Sequence, residues 1–238
     1  LELTGSFGVI AAVLPVGVQA PVTSVTTPGN LAAHVQAEPS TVIRNRRQLI
    51  RQLDLPVAPR WLNQIHSNQV VHFNDARPTV TADAIYADHG PAVCAVLTAD
   101  CLPILLCSTA GEQIAAIHAG WRGLAQGIIQ QTLQRFHGPR ERILAYLGPA
   151  ISVAAFEVGD DVRDAFLSFQ VVDSITFRPH KLGKWHADIC QIAARLLAHE
   201  GCHQVTFSHL CTFQDLRWYS YRRQPECGRF ASLIWKNN

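Results

Sequence analysis

The sequence predicts a layered α/β fold, a single layered domain with a mixed β-sheet flanked by helices. Apolar residues make up 48% of the 238 residues, which is enough to fill a core, and charged residues only 16%. Short apolar runs alternate with segments of helical periodicity, an order typical of layered α/β domains. No fixed-period repeat or long flexible linker divides the chain, so we expect one domain over residues 1–238.

The first third of the chain is predicted to hold short strands and then a helix. Prolines divide its apolar residues into three candidate strands, at Val9–Leu14, Val16–Val18 and Val22–Val25. Between Glu38 and Pro56 the apolar residues recur at helical spacing, which predicts a helix that opens within residues 38–40.

The rest of the chain mixes strands and helices. Strands are predicted at Trp61–His66, Val70–Phe73, Ala92–Leu97, Ile104–Cys107, Ile114–His118 and Ile143–Leu147. Helices are predicted at Gly123–Phe136, Asp160–Phe169 and Ala187–His199. The last strands are predicted at Val205–Ser208, Trp218–Tyr221 and Phe230–Trp235.

Charge and composition exclude several classes of partner. The formal net charge of +2 gives no protein-wide basic field, so we expect no nucleic-acid partner. The longest apolar runs are far shorter than the roughly 20 residues that span a bilayer, so we expect no membrane partner. The first residues lack a secretory pattern, and the seven cysteines form an odd set without a Cys-x-x-Cys pair. We therefore expect a cytoplasmic protein with reduced thiols.

Polar residues interrupt three apolar segments, and burying such residues is costly unless they are bonded. The segment 63–67 contains His66, the segment 98–103 contains Cys101, and the segment 117–123 contains His118. Two imidazoles and one thiolate have the composition of an open metal site with a fourth position for water or substrate, which suits zinc best. Copper is possible but ranks second, because the axial methionine of blue-copper sites is missing. Taken singly, each residue has an ordinary structural explanation.

The same segments resemble signature blocks of the YfiH-type laccase-domain family, also described as multicopper polyphenol oxidase-like proteins. These blocks are Asn-Gln-Ile-His-Ser at 63–67, Thr-Ala-Asp-Cys-Leu-Pro at 98–103 and His-Ala-Gly-Trp-Arg-Gly at 118–123. Further similar blocks lie at 45–46, 82–84, 147–151, 156–159, 219–223 and 228–229. The resemblance implies a YfiH-like fold, related to that of cysteine hydrolases, with His66, Cys101 and His118 as metal ligands.

The resemblance also implies an activity on purine nucleosides. Members of this family are described as enzymes that phosphorolyse adenosine, inosine, guanosine or methylthioadenosine and deaminate adenosine. The expected partners are therefore small purine nucleosides and phosphate. Deamination suits a zinc-like site, because a bound metal activates water near neutral pH.

A deaminase also needs a group that transfers protons. The His-x-Glu motif of nucleobase deaminases is absent, so the candidate catalytic residues are Asp83, Asp100 and Cys101, with His118 beside them. Asp100 could instead orient a metal-bound imidazole, and Asp83 could cap a turn.

Phosphorolysis needs an anion site, and the arginine fork matches phosphate oxygens. The candidate substrate-binding residues are Arg46, Arg122, Arg222 and Arg229. Adjacent strand residues point oppositely, so at most one of Arg222 and Arg223 should face the site. Backbone N–H groups at 120–123 could assist. Three aromatic residues could stack on a purine or belong to the core, namely Trp121, Phe156 and Tyr219.

The residues alone leave three other functions open. Cys101 could be a thiolate nucleophile with His118 as its base, as in a cysteine hydrolase or amidase. A copper-dependent polyphenol oxidase is a further alternative, although a single three-ligand site lacks the several copper centres of a laccase. A non-catalytic metal-binding or partner-binding protein is the last.

Overall fold

The computed structural model describes residues 8–9, 18–25, 28–35 and 37–236. Residues 10–17, which hold most of the first two predicted strands, lie outside this part of the chain. The strands are β1 Gly8–Val9, β2 Val18–Gln19, β3 Pro21–Val22, β4 Val70–His72, β5 Ala84–Ala87, β6 Val93–Thr98, β7 Leu102–Ser108, β8 Ile114–Ala119, β9 Ile143–Leu147, β10 Glu157–Gly159, β11 Phe177–Lys181, β12 Lys184–Ala187, β13 Gln204–Phe207 and β14 Phe230–Lys236. The helices are α1 Pro39–Gln52, α2 Trp121–Ala125, α3 Ile128–Leu133, α4 Asp160–Asp164 and α5 Ile189–His199.

The central sheet has six strands in the order β13-β9-β7-β8-β5-β4. Its two outer pairs, β13 with β9 and β5 with β4, are parallel, whereas the inner pairs are antiparallel. Side chains on both faces of the inner strands are buried, which explains their continuous apolar sequences. The predicted mixed sheet is therefore confirmed.

A second sheet packs on one face of the central sheet. In it β14 pairs with β6 on one side and with β2 and β3 on the other, and β1 extends β3. Residues of both sheets, including Cys94, Val96 and Leu105, share the core between them. The α/β class is confirmed, but the structure has two stacked sheets where the sequence predicted one, because apolar periodicity identifies strands without specifying their partners.

Helices cover the outer faces of both sheets. Helices α2, α3 and α5 pack on the central sheet, where Leu124 and Leu196 join the same core as Ile117. Helix α1 covers the second sheet through Leu49, which packs with Val93. A small sheet in the order β10-β12-β11 lies against the first helical layer and was not predicted. In the described residues no helix is long and apolar enough to cross a membrane.

Two predicted strands are wrong. Residues 61–66 form an extended segment whose regular pairing is limited to a bridge from Asn63 to Thr81. The Gln64 amide donates to the carbonyl of Leu97 at 2.7 Å and accepts from its N–H at 2.8 Å, which fixes the segment to β6. Residues 218–221 form an irregular segment that begins with a bend and leads into a turn. The Arg223 guanidinium donates to the Trp218 carbonyl at 2.6 Å, which occupies an acceptor that a neighbouring strand would need.

Two predicted helices are shorter than expected. The helix predicted over 123–136 begins at Trp121 and is interrupted at Gly127, whose φ of 83° is left-handed. The helix predicted over 160–169 ends at Asp164 and continues only as a 3₁₀ turn at Leu167–Phe169. Helix α5 starts near its predicted residue because the Asp188 side chain accepts from the N–H of Gln191.

We predict that Gly127→Ala destabilises the protein by about 1–2 kcal/mol, because an L side chain is strained at this left-handed φ. An added Cβ would lie 3.5 Å from its nearest neighbour, so the cost is conformational rather than steric. Urea unfolding measures the loss, with Gln126→Ala as the control. Equal stabilities of the two variants would contradict the interpretation.

Candidate metal centre and substrate cavity

The structure brings His66, Cys101 and His118 together at one end of the central sheet. Cys101 directly precedes β7, and His118 lies opposite Pro103 in the antiparallel β7–β8 pair. Cys101 Sγ lies 3.6 Å from His66 Nε2, and the two imidazole centroids are 4.7 Å apart. One ligand atom from each residue lies within 4.8 Å of the others, which is compatible with a shared cation.

Asp83, just before β5, holds two of these residues in place. Its fully buried carboxylate accepts from the N–H groups of Ile65, His66 and Ser67 and from the Ser67 hydroxyl, at 2.7–3.2 Å. It also accepts from His118 Nδ1 at 2.8 Å, which leaves Nε2 of that ring free for a cation. Burial alone would raise the pKa of Asp83, but the hydrogen bonds from His118 and Ser67 lower it to about 2.

Local backbone geometry makes room for the cluster. His66 has a left-handed φ of 63°, stabilised by the three consecutive N–H groups that bind Asp83. At Gly120 an added Cβ would lie 2.6 Å from His66 Cδ2 and 3.2 Å from Cys101 Sγ. Only glycine therefore fits beside these two residues, which explains the glycine that follows His118 in the sequence motif.

The charges of the cluster are coupled. Burial alone would raise the pKa of the Cys101 thiol, but the imidazoles of His118 and His66 lower it to about 6. Burial alone would lower the pKa of His118, but Cys101 and Asp83 raise it to about 9. The metal-free cluster thus favours a thiolate beside an imidazolium. A soft cation can displace the imidazolium proton and retain the thiolate, so this donor set fits zinc or copper.

Asp100 is next to Cys101 in the sequence, but its carboxylate is bound by residues from near the C-terminal end of the described chain. Its carboxylate accepts from the hydroxyls of Thr212 and Ser220 and from the N–H of Arg222, at 2.6–3.0 Å. It therefore orients the C-terminal turns rather than an imidazole, and the imidazole partner is Asp83. Because Asp83 is 0% exposed, it has no contact with the cavity through which it could exchange a proton with substrate.

The cluster lies in the wall of a cavity of about 410 Å³, a volume within the range of small-molecule sites. Its wall combines aromatic, aliphatic and charged groups. The lining residues outside the cluster are His34, Gln64, Leu97, Thr98, Ala99, Asp100, Trp121, Arg122, Ile151, Phe156, Ile189, Tyr221, Arg222 and Arg229.

The predicted arginines separate into two groups. Arg122, Arg222 and Arg229 line the cavity, whereas Arg46 does not. The Arg46 Nε donates to the carbonyl of Leu31 at 2.9 Å, and its guanidinium stacks 4.5 Å from the Trp61 ring centroid. Arg46 therefore joins α1 to the preceding loop, and its assignment to the substrate site is not supported by this geometry.

The three cavity arginines differ in how firmly they are held. The Arg222 guanidinium donates to the carbonyls of Ala155 and Glu157, and that of Arg229 donates to two carbonyls just before it. Arg122 stacks 4.4 Å from the Trp121 ring centroid and makes no hydrogen bond with its guanidinium in the described part of the chain. Its donors are therefore free for an anion.

Two of the three predicted aromatic residues line the cavity, and two further lining residues were not predicted. Trp121 and Phe156 line the cavity, but the third candidate, Tyr219, donates its hydroxyl to the carbonyl of Val25. Tyr221, two residues further on, lines the cavity instead. Tyr219 was a candidate from the sequence and Tyr221 was not. His34 also lines the cavity, and no local pattern distinguished it from an ordinary exposed histidine.

Fold and site together define a layered α/β protein with a candidate three-ligand metal centre in a cavity for a small molecule. The family model described as multi-copper polyphenol oxidoreductase laccase matches residues 17–237. The chain belongs to this family.

Named relatives and solved structures agree with this assignment. The chain is 43% identical over 208 residues to the purine nucleoside phosphorylase YfiH of Escherichia coli, covering 87% of this chain and 85% of that protein. A crystal structure from Neisseria meningitidis matches with a TM-score of 0.92 at 40% identity, covering 98% of this chain and 100% of the other. The Bacillus licheniformis YfiH structure matches with a TM-score of 0.87 at 25% identity, covering 99% and 98%.

We predict that Asp83→Asn weakens zinc binding about 10- to 100-fold, because an amide cannot accept from all of these donors and no longer fixes the His118 tautomer. Competition with a chromophoric chelator measures the affinity. Asp75→Asn, an exposed aspartate outside the cavity, is the matched control. Unchanged affinity in a folded Asp83→Asn variant would argue against the positioning role.

Proposed function

We propose that this protein is a metal-dependent purine nucleoside enzyme that phosphorolyses adenosine, inosine, guanosine or methylthioadenosine and deaminates adenosine. The observation that carries the proposal is the convergence of His66, Cys101 and His118 in one cavity with three arginines. The relatives named purine nucleoside phosphorylase supply the reaction class.

The proposed ligands are His66 Nε2, Cys101 Sγ and His118 Nε2, with zinc as the cation. A bound zinc ion would supply Lewis acidity for the attack of water on the purine ring. Asp83 keeps the His118 proton on Nδ1 and fixes the backbone of His66, so the chain presents both imidazoles in one orientation. Among the predicted acid and base candidates, Cys101, His118 and Asp100 line the cavity and Asp83 does not. The Asp100 carboxylate already accepts from Thr212, Ser220 and Arg222, so Cys101 and His118 are proposed for proton transfer.

For phosphorolysis, the cavity offers groups suited to both substrates. Arg122 is proposed as the main phosphate ligand because its guanidinium is free, while Arg222 and Arg229 add positive charge from fixed positions. Such charge favours the attacking phosphate over water. Trp121 and Phe156 offer aromatic faces on which a purine can stack.

A cysteine hydrolase is the second candidate, and one observation favours it. Cys101, His118 and Asp83 are linked in the order of a nucleophile, a base and an orienting carboxylate. The two candidates differ in their need for metal. A covalent acyl adduct on Cys101, formed from ester or amide substrates in metal-free protein, would favour the hydrolase, and its absence would favour the nucleoside enzyme.

We predict that the zinc-loaded protein converts adenosine and phosphate to adenine and ribose 1-phosphate and, without phosphate, converts adenosine and water to inosine and ammonia. Cys101→Ala should abolish both reactions because the cluster loses its thiolate. Chromatography of the products measures both reactions, and Cys94→Ala, a buried cysteine outside the cavity, is the control. No base release from any purine nucleoside by the metal-loaded protein would reject the proposal.

We predict that Arg122→Ala raises the KM for phosphate by about tenfold or more, since a charge-assisted hydrogen bond contributes about 1.5–3 kcal/mol. Phosphate-independent deamination should change much less. Arg135→Ala, an exposed arginine outside the cavity, should leave both reactions unchanged. Equal losses of phosphorolysis and deamination in Arg122→Ala would count against a phosphate-specific role.

A further inference from the structure

The small sheet carries a second cluster of metal-ligand side chains, away from the cavity cluster. Glu157 on β10 pairs directly with His186 on β12, so their side chains share one face of the sheet. The β11–β12 register shifts between Pro179 and Lys181, which leaves His180 in a bulge. The bulge directs the His180 ring to within 4.3 Å of the His186 ring, centroid to centroid.

The ligand atoms are close enough to be bridged by one metal ion after small side-chain movements. His180 Nε2 lies 3.2 Å from Glu157 Oε2, and one ligand atom from each of the three residues lies within 4.8 Å of the others. Two atoms bound tetrahedrally to one zinc ion are about 3.4 Å apart, given bonds of about 2.1 Å. Two imidazoles and one carboxylate form a donor set typical of zinc sites with open positions.

We infer that Glu157, His180 and His186 form a second binding site for a divalent transition-metal ion, for which zinc is the best match. The site lies beside the substrate cavity, because Phe156 lines that cavity and the carbonyl of Glu157 accepts from Arg222. An ion held there ties β10 to the β11–β12 hairpin. It therefore stiffens the backbone that holds Arg222 in the cavity wall.

One neighbouring cation competes with the metal. Lys181 Nζ lies 3.9 Å from Glu157 Oε2, but its side chain is 70% exposed and can turn into solvent. Arg178 pairs with His186 across β11 and β12 and adds a second positive charge to this face. These charges weaken the site without blocking it, so we expect it to bind zinc less tightly than the thiolate-containing cluster.

A third cluster, formed by His72, Asp88 and His89, is less suitable. His72 Nδ1 accepts from the N–H of Asn74 at 3.2 Å, which places the proton of the neutral ring on Nε2. That Nε2 faces Asp88 at 3.0 Å and serves as a donor to the carboxylate. A metal ion would have to disrupt both bonds.

The test is a zinc titration of the chelator-treated full-length protein, with bound zinc counted by equilibrium dialysis and mass spectrometry. We expect two equivalents in the wild type and one in the His180→Ala/His186→Ala variant. Each single substitution should weaken the second equivalent at least about tenfold. His203→Ala, an exposed histidine outside all three clusters, should retain both equivalents.

Further variants separate this site from the cavity cluster. Cys101→Ala should lose the tighter equivalent and retain the weaker one, and cobalt bound to that variant should show ligand-field bands without a thiolate charge-transfer band. Lys181→Ala should tighten the weaker site, whereas Lys184→Ala should tighten it less. An unchanged number of zinc equivalents after loss of both His180 and His186 would overturn the inference, whatever the activity of the cavity. A single wild-type equivalent that is lost in this double variant and kept in Cys101→Ala would instead count against the cavity cluster.

Discussion

The site depends on one buried carboxylate. Asp83 is removed from water in the core of the protein, a costly position for a charge unless donors replace the lost hydration. Here backbone N–H groups, the Ser67 hydroxyl and the His118 imidazole supply that replacement. Because these donors come from segments far apart in the chain, satisfying the charge of Asp83 also brings His66 and His118 together.

The sheets give this arrangement its rigidity. His118 lies on β8 and Cys101 directly precedes the neighbouring antiparallel strand β7, and the side chains of both strands are buried, so the register of this pair sets the separation of the two residues. The left-handed residues His66 and Asp100 lie outside regular strands and helices, and each makes several hydrogen bonds. Backbone strain of this kind persists only where surrounding contacts compensate for it.

Much of the site could be predicted because residue types that can bind a metal are recognisable within short sequence segments. His66, Cys101 and His118 stand out as polar groups at the ends of apolar runs, whatever the pairing of the strands. The partner of His118 could not be assigned, because Asp83 and Asp100 differ only in the donors that tertiary structure brings to them. The contacts of Arg46 could not be predicted either. Nothing in its sequence segment indicates that the guanidinium donates to the Leu31 carbonyl and stacks on Trp61.

Some strands could be predicted from the sequence and others could not. The sequence identified β9 and β14 from their apolar runs, but the four-residue β5 and the polar strands of the small sheet have too little periodicity to detect. Pairing between β6 and β14 joins segments more than a hundred residues apart, and no local pattern encodes such contacts.

The place of β14 in the second sheet has a consequence for biosynthesis. This strand comes from the end of the described chain, yet it separates β6 from β2 and β3 and provides the pairing partner of β6. Until β14 has been synthesised, the nascent polypeptide carries an open apolar edge at β6. The strands of the central sheet are therefore all synthesised before the second sheet can be completed, and the edge of β6 is open to wrong pairing in that interval.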